Sequence, residues 1–477
     1  MSFVSSGDYA DLGGHSASGL ATPEMLSDLN KALLAGNAIN DPGASAGGGF
    51  PLRVESLERT LKNTTFSAEH LRFWKAIPKK TATNTVEEHN EVSSYGNGLE
   101  GFVGEDQTPE EDDSTLARKY AVVKFIGTTR KVSHVMSVVT PAHGNVIAQQ
   151  TVFGTLEILR AVERSLFYAD SALSSLQFDG FEKLITSNSP AANIIDMRGQ
   201  PLDEDTIQDA ALSISDGPNY GTPTHIHSNP KVKSDFMKAF FPRGRLEIDK
   251  GTDDAMVGLN VRGVTTAAGD LTWESNTFVN DGGGVSAAAG DSVKRPATPT
   301  VTAAATTPVD ALGKFTADDA GSYFYKIVAH NDFGRSAAVD VGGGAIAIAA
   351  GDKMTAGITP GSAVAVKWYS LYRTKKGGAD GTERLIARIP NTAGAGALTI
   401  NDYNNTLPYS SSVFLWQQNE ECMAWKQLAP LIKIPLATVG PSIRWMQLLY
   451  GVPVLYAPGR ATLIKNVGRS PNFKGQP

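Results

Sequence analysis

The sequence holds a single cysteine, Cys422, in 477 residues. That excludes an intrachain disulfide framework and any cysteine-rich zinc site. The chain therefore needs no oxidising compartment. No run of about 18 apolar residues occurs, so no membrane-spanning helix and no membrane partner are expected. The first residues, MSFVSSGDYADLGG, have no basic stretch and no apolar one, so folding in a cytoplasm without a signal peptide is expected. Charge is sparse: Asp, Glu, Lys and Arg make 19% of the chain, below the usual ~25%. The net charge of −6 excludes a basic chain that coats nucleic acid. No P-loop, G-x-S-x-G or H-E-x-x-H motif is present. The glycine clusters Gly47–Gly49, Gly282–Gly284 and Gly342–Gly344 lack the strand–helix setting of dinucleotide loops and read as turns. No cofactor is expected.

What is present is a large apolar fraction, 41%, enough for a sizeable core. At about 100–200 residues per domain, this length predicts roughly two to four units. Residues 1–50 are small, polar and Gly-rich apart from an amphipathic helix predicted over Thr22–Leu34, with Pro23 at its first position. A second short helix is expected around Val54, Leu57 and Leu61. Thr81 to Ala117 contains no Lys or Arg, yet holds Glu87, Glu88, Glu91, Glu100, Glu105, Asp106, Glu110, Glu111, Asp112 and Asp113. This reads as a long exposed loop or hairpin returning along Tyr120–Ile126. From Cys422 to the end the imbalance reverses: there is no Asp or Glu, but Lys426, Lys433, Arg444, Arg460, Lys465, Arg469 and Lys474. The acidic tract is either a solvated loop or a surface complementary to basic residues of another subunit, where charge sets register and encounter rate.

Leu156, Leu159, Val162, Leu166, Ala169, Leu173 and Leu176 recur at threes and fours, predicting a helix over 144–176, roughly 45 Å long. Asp203–Ser215 is amphipathic through Ile207, Ala210, Ala211 and Ile214. Residues 225–241 read as strand, turn and helix, with Asn229-Pro230 as the helix start. His225 and His227 share a strand face that could ligate a metal, but no third ligand is spaced to join them, so sheet residues are the plainer reading. Cys422, beside Met423 and Trp425, reads as a buried thiol. At Pro296 the run PATPTVTAAATTP is linker-like. Residues 314–409 then alternate as strands with Gly-rich turns, predicting a small β-sandwich over 296–409 of fibronectin or immunoglobulin type, with a structural Tyr and Trp. Mixed α/β sequence resumes at 410, so the sandwich is expected to be an insertion in a discontinuous α+β body.

The order of parts resembles the major capsid protein of tailed bacteriophages, closest to those of large contractile-tailed phages. FWKAIPKKTATNTV (73–86), FDGFEKLI (178–185), YGTPTHIHSNPKVKSDF (220–236) and VPVLYAPGRATLIKNV (452–467) carry it, as does the inserted PATPTVTA…LYRTKKGG…LIARIP. The resemblance implies an α+β fold of the Hong Kong phage type. Its parts would be an N-terminal arm (1–72), an extended acidic loop (73–132), and a peripheral domain with the spine helix (133–202). The axial domain (203–295), the inserted immunoglobulin-like unit on the outer surface (296–409), and a return to axial and peripheral domains (410–477) would follow. It implies hexamers and pentamers of this chain tiled into an icosahedral shell around double-stranded DNA, in a virion assembled in bacterial cytoplasm. Portal, scaffold and possibly decoration proteins would be partners. Expected inter-subunit contacts are Glu105, Asp106, Glu110, Glu111, Asp112 and Asp113 with Lys79, Lys80, Arg444, Arg460, Lys465 and Arg469. Some members of that family are cleaved or cross-linked through Lys–Asn bonds. Neither is expected here, and for the cross-link no trio of acid, Lys and Asn is marked. Two other readings stand beside this one. An adhesin or tail component would place its sandwich at a chain end. A polysaccharide hydrolase would need a marked carboxylate pair.

Overall fold

The computed structural model describes residues 65–96, 102–108, 111, 113–139, 144–240, 261–279, 282–302, 305–307, 310–361, 364–437 and 440–469. The helices expected at Thr22–Leu34 and near Val54–Leu61 lie outside these residues. The chain forms two compact units. One is Met1–Lys62 with Val138–Val146, described only at 138–139 and 144–146. The other, Asn63–Ser137 with Ile147–Pro477, holds the sheets and their cores.

In chain order, helix α1 (Phe73–Ala76) leads to strand β1 (Lys79–Thr81) and a hairpin of β2 (Val86–Ser94) and β3 (Thr115–Val122). Then come β4 (Lys124–Ser133), α2 (His134–Val138), α3 (Val146–Tyr168), α4 (Phe181–Asn188) and β5 (Ile194–Asp196). Helix α5 (Glu204–Ser215), β6 (His225–Ser228), α6 (Pro230–Phe240), β7 (Gly263–Thr266) and β8 (Gly269–Ser275) follow. Helix α5 starts where expected: Asp203 accepts from Thr206 N at 2.9 Å, and Ile207, Ala210, Ala211 and Ile214 are buried. Asn229 starts α6 in the same way, accepting from Lys231 N at 2.9 Å.

The long helix is shorter than its apolar spacing predicts. It ends at Tyr168, 23 residues and so about 35 Å. Asp170 opens a turn by accepting from Ala172 N, and Gly180 N returns to Ala169 O at 2.8 Å. Leu173 is buried in that turn, while Leu176 is 64% exposed. The buried stripe is Gly154, Ile158, Val162 and Leu166, a phase beside the predicted one; Leu156 and Leu159 are half-buried. Gly154 permits close approach to the sheet below, since a Cβ there would collide with the Gln447 carboxamide. That carboxamide donates to Thr151 O at 2.9 Å.

Short strands then build the segment after residue 288: β9 (Ala289–Gly290), β10 (Thr300–Val301), β11 (Ala305–Thr307), β12 (Gly321–Tyr323), β13 (Tyr325–Asn331), β14 (Gly334–Arg335), β15 (Val339–Asp340), β16 (Ile346–Ile348), β17 (Lys353–Thr359), β18 (Trp368–Arg373), β19 (Arg384–Pro390) and β20 (Leu398–Asp402). One sheet runs β19-β18-β13-β14-β9; another pairs β10, β11 and β20 with β17. They share a core of their own, with Tyr325, Ile327, Met354, Ile358, Tyr369 and Leu371 inward. The run expected as a linker is therefore partly strand: β10 and β11 pair with β17. Its Thr and Val residues suit an edge, and low apolar content disguised them. The sheet also begins before Pro296, at β9. Tyr369 is buried, whereas its neighbour Trp368 is half-buried and stacks on His330 at 5.2 Å. A buried ion pair closes this core: Arg373 Nη1 donates to Asp402 Oδ2 at 2.6 Å, as does the Tyr325 hydroxyl at 2.8 Å.

The last strands return to the body: β21 (Ser411–Trp416), β22 (Met423–Leu436), β23 (Ser442–Leu455) and β24 (Ala461–Val467). One body sheet has the order β1-β22-β23-β4, the other β5-β24-β21-β6-β8-β7. In the second, β21 and β24 lie between strands from before residue 289. The body therefore cannot close until the intervening segment has returned the chain.

Helix α3 and residues 72–77 meet in the main core. Phe73 packs on Phe167 and Trp416 at 5.0 Å each. Beneath it lies Glu163, fully buried in mid-helix. Its Oε1 accepts from Phe73 N at 2.9 Å and Asn276 Nδ2 at 2.6 Å, and its Oε2 from Trp74 N at 2.7 Å. Burial pushes this carboxyl up from its ordinary value, against the pull of those N–H groups. His227 lies on the other side of Phe73, ring to ring at 5.1 Å, fully buried, with burial pushing it down to about 4.

Two outcomes follow. Glu163→Ala orphans three buried donors and should lower stability by about 3 kcal/mol or more, read from urea unfolding. For His227, the folded state holds the neutral ring, so the unfolded chain takes up a proton first as pH falls. Stability should drop from about pH 6.5 downward, with the loss complete near 4, about 3 kcal/mol for this group. His330, also held near 4 by burial, adds a loss of the same sign. His227→Leu should therefore reduce, without abolishing, the pH slope of the unfolding midpoint over that range. An unchanged slope would contradict the assignment.

Candidate interaction surfaces

The β2–β3 hairpin has two unlike faces because strand side chains alternate. Glu87, His89 and Glu91 face the body. Glu87 Oε1 accepts from Thr83 N and Asn84 N, and Oε2 pairs with Lys426 at 3.2 Å. Burial would push the Glu87 carboxyl up, but these N–H groups and Lys426 hold it below its ordinary value. The His89 ring stands edge-on to Tyr456 at 5.0 Å. The other face pairs Val86 with Val122, Glu88 with Tyr120, Asn90 with Arg118 and Val92 with Leu116. Its apolar members are exposed: Leu116 by 61%, Tyr120 by 72% and Val92 by 50%. A two-stranded ribbon has no interior of its own, so this face lacks the second layer that apolar strands require. The acidic count concealed it. Its signal is visible only once the register sets Val92 against Leu116.

Glu105, Asp106, Glu111 and Asp113 are exposed at the hairpin's far end; Glu110 and Asp112 lie outside the described residues. The predicted basic partners divide. Lys79 Nζ donates to Trp74 O and lies over that ring at 4.9 Å. Lys80 Nζ donates to Glu420 O at 2.8 Å. Arg460 holds Asn219 O at 3.1 Å and reaches Cys422 Sγ at 3.8 Å. Arg469 clasps Asp235 at 2.6 and 3.2 Å. All four residues therefore have contacts within their own subunit. Lys465 is half-buried in β24. Arg444 differs: its Nε is buried without an acceptor.

The His225 and His227 rings lie 6.3 Å apart. His227 Nε2 meets Gln418 Oε1 at 3.1 Å, and among the described residues no group of three His, Cys, Asp or Glu converges. Cys422 is buried, which raises its thiol although Arg460 opposes the shift. No described helix is long and apolar enough to cross a membrane.

No family model matches the sequence. The major capsid protein of Staphylococcus phage K is 27% identical over 459 residues, covering 93% of this chain and 96% of that protein; the major capsid protein of Staphylococcus phage S25-3 aligns equally. Among solved structures, the capsid of the native GTA particle superimposes with a TM-score of 0.48 at 8% identity, covering 90% of this chain and 99% of that one. The capsid of Myoviridae phage XM1 gives 0.43 at 8% identity, covering 88% and 99%. On its alignment with the two Staphylococcus phage proteins over nearly their whole length, this chain is a homologue of phage major capsid proteins.

Proposed function

We propose that this protein is the structural subunit of a phage head, assembling as hexamers and pentamers into an icosahedral shell around packaged double-stranded DNA. The carrying observation is the near full-length alignment to phage major capsid proteins. The uncovered hairpin supports it physically, since a neighbour supplies the missing layer, and head-to-tail contacts of this kind close into rings. The chain takes the Hong Kong phage-type fold, with α3 as spine and residues 289–402 as an inserted immunoglobulin-like unit on the outer surface. Portal, scaffold and decoration proteins are its expected partners, and assembly takes place in the bacterial cytoplasm. A weakly acidic chain suits a container, because a basic lining would hold DNA fast.

Electron microscopy with light scattering tests the reading: closed shells or six-fold rings are expected, and a monomer that persists with scaffold supplied would refute it. Val92→Lys with Leu116→Glu, opposite charges across the ribbon, should leave the subunit folded but raise the concentration needed for assembly at least about tenfold. Normal shell yields from that variant would remove the hairpin face from the interface. Converting Glu105, Asp106, Glu111 and Asp113 to their amides should slow assembly at low salt. The difference from the parent should fade near 1 M salt, where screening acts within about 3 Å.

A further inference from the structure

The β19-β18-β13-β14-β9 sheet turns Ile327, Tyr369 and Leu371 into its own core and its other face toward helix α3. Register sets that other face. Trp368 lies opposite His330, His330 opposite Arg335, and Arg388 opposite Ser370. Across from them α3 carries Arg160 and Arg164, one turn apart and both exposed. The two walls bound an open cleft of about 760 Å³.

The charge in this cleft is one-sided. Among the described residues, four arginines line it, two on each wall, against one carboxylate, Glu157, and no lysine. Glu157 already pairs with Arg130. The field is visible at His330, whose ring is pushed down to about 4 by burial and then by the charges of Arg335 and Arg388. Arginine keeps its charge throughout the range of pH a protein meets, so the walls cannot relieve their repulsion by losing protons. An anion between them relieves it. The cleft is too small for a folded partner but falls within the roughly 300–1,000 Å³ of small-molecule sites. Guanidinium forks match phosphate oxygens two at a time. Two opposed pairs of forks suit an anion that carries several charges along a short chain.

We infer that the cleft between α3 and the inserted sheet binds a small polyphosphate, either the phosphate chain of a nucleotide or free inorganic polyphosphate. Arg160 and Arg164 grip it from the body, and Arg335 and Arg388 from the insertion. Arg335 Nε donates to Ala287 O at 2.9 Å and Arg388 Nη1 to Tyr168 O at 3.3 Å, contacts that hold these two side chains at the cleft. The bound anion ties the inserted unit to the body. The site lies within one subunit, so it does not depend on assembly.

Calorimetry of the full-length chain with tripolyphosphate tests it, with ionic strength matched by potassium chloride. One tripolyphosphate per chain is expected, and at a hundredfold excess over its Kd the melting temperature should rise by at least about 2 °C. Arg160→Gln with Arg164→Gln, and separately Arg335→Gln with Arg388→Gln, should each weaken binding at least about tenfold. Lys231→Gln, which removes an exposed charge elsewhere, should leave it unchanged. ATP separates the two sources: tighter binding than tripolyphosphate assigns the site to nucleotides, and equal or weaker binding assigns it to free polyphosphate. A melting temperature that responds as strongly to potassium chloride would mean screening alone and would overturn the inference. So would unchanged binding in both arginine variants, or an oligoglutamate peptide that binds as tightly as tripolyphosphate. If the sheet variant fails to fold, the helix variant decides alone, since both its positions are exposed and glutamine is a good helix former.

Discussion

A carboxylate with no cation beside it decides where the first described part of this chain goes. Glu163 lies in the middle of α3, where an apolar residue would be ordinary. Its two oxygens gather the N–H groups of Phe73 and Trp74 and the amide of Asn276. Satisfying a buried charge by N–H groups alone requires that they be held in place. The surrounding aromatic cluster of Phe73, Phe167, Phe181 and Trp416 does so. With Phe73 fixed, Lys79–Thr81 falls beside Trp425–Gln427 as a parallel strand. The hairpin then leaves the body at Thr83–Asn84, whose amides are in turn held by Glu87. The direction of the exposed ribbon thus descends, link by link, from one buried acid.

A second constraint is topological. Strands β21 and β24 complete a sheet begun by β5 and β6, so more than a hundred residues intervene between partners. Such long-range pairing carries a loop-closure penalty that a folded insertion offsets by bringing its own ends together. The side chains at its exit do this. Asn404, next to the Arg373–Asp402 pair, accepts from Arg373 Nη2 at 2.6 Å and, through its backbone oxygen, from Arg198. Asn466 in β24 donates to Asn405 O at 2.9 Å and to Asp196 at 2.7 Å. The inserted strands and the body sheet are stitched where one becomes the other.

Much of the architecture was legible where local chemistry and tertiary packing agree. Asp203–Ser215 has a cap, an apolar stripe and acidic first-turn residues, and it folds as read. The long helix was overextended because Leu173 and Leu176 continue its spacing, although Asp170 and Gly180 turn the chain. Spacing alone does not reveal a turn whose apolar residue is also buried. Strands β10 and β11 were hidden by composition, since an edge needs few large apolar residues. Glu163 was invisible because a glutamate in a charged helix gives no sign that it points inward. The basic C-terminal stretch was legible as charge but not as partnership. Asp235, which holds Arg469, lies 234 residues away.

The accounting of those cations bears on how copies recognise one another. Of the basic residues between Cys422 and Arg469, Lys426, Arg460 and Arg469 bind groups within their own subunit, and Lys433 lies over Trp445 while donating to Thr151. Spreading the acidic hairpin's attraction over the whole basic stretch would give it no register. Coulombic attraction between exposed groups is weak and salt-screened, so it cannot hold a shell by itself. In the proposed assembly, apolar burial on the hairpin face of Val92 and Leu116 would supply affinity and charge would supply direction. A surface that divides the two tasks lets subunits meet reversibly, correct a misplaced neighbour, and become stable once many contacts close together.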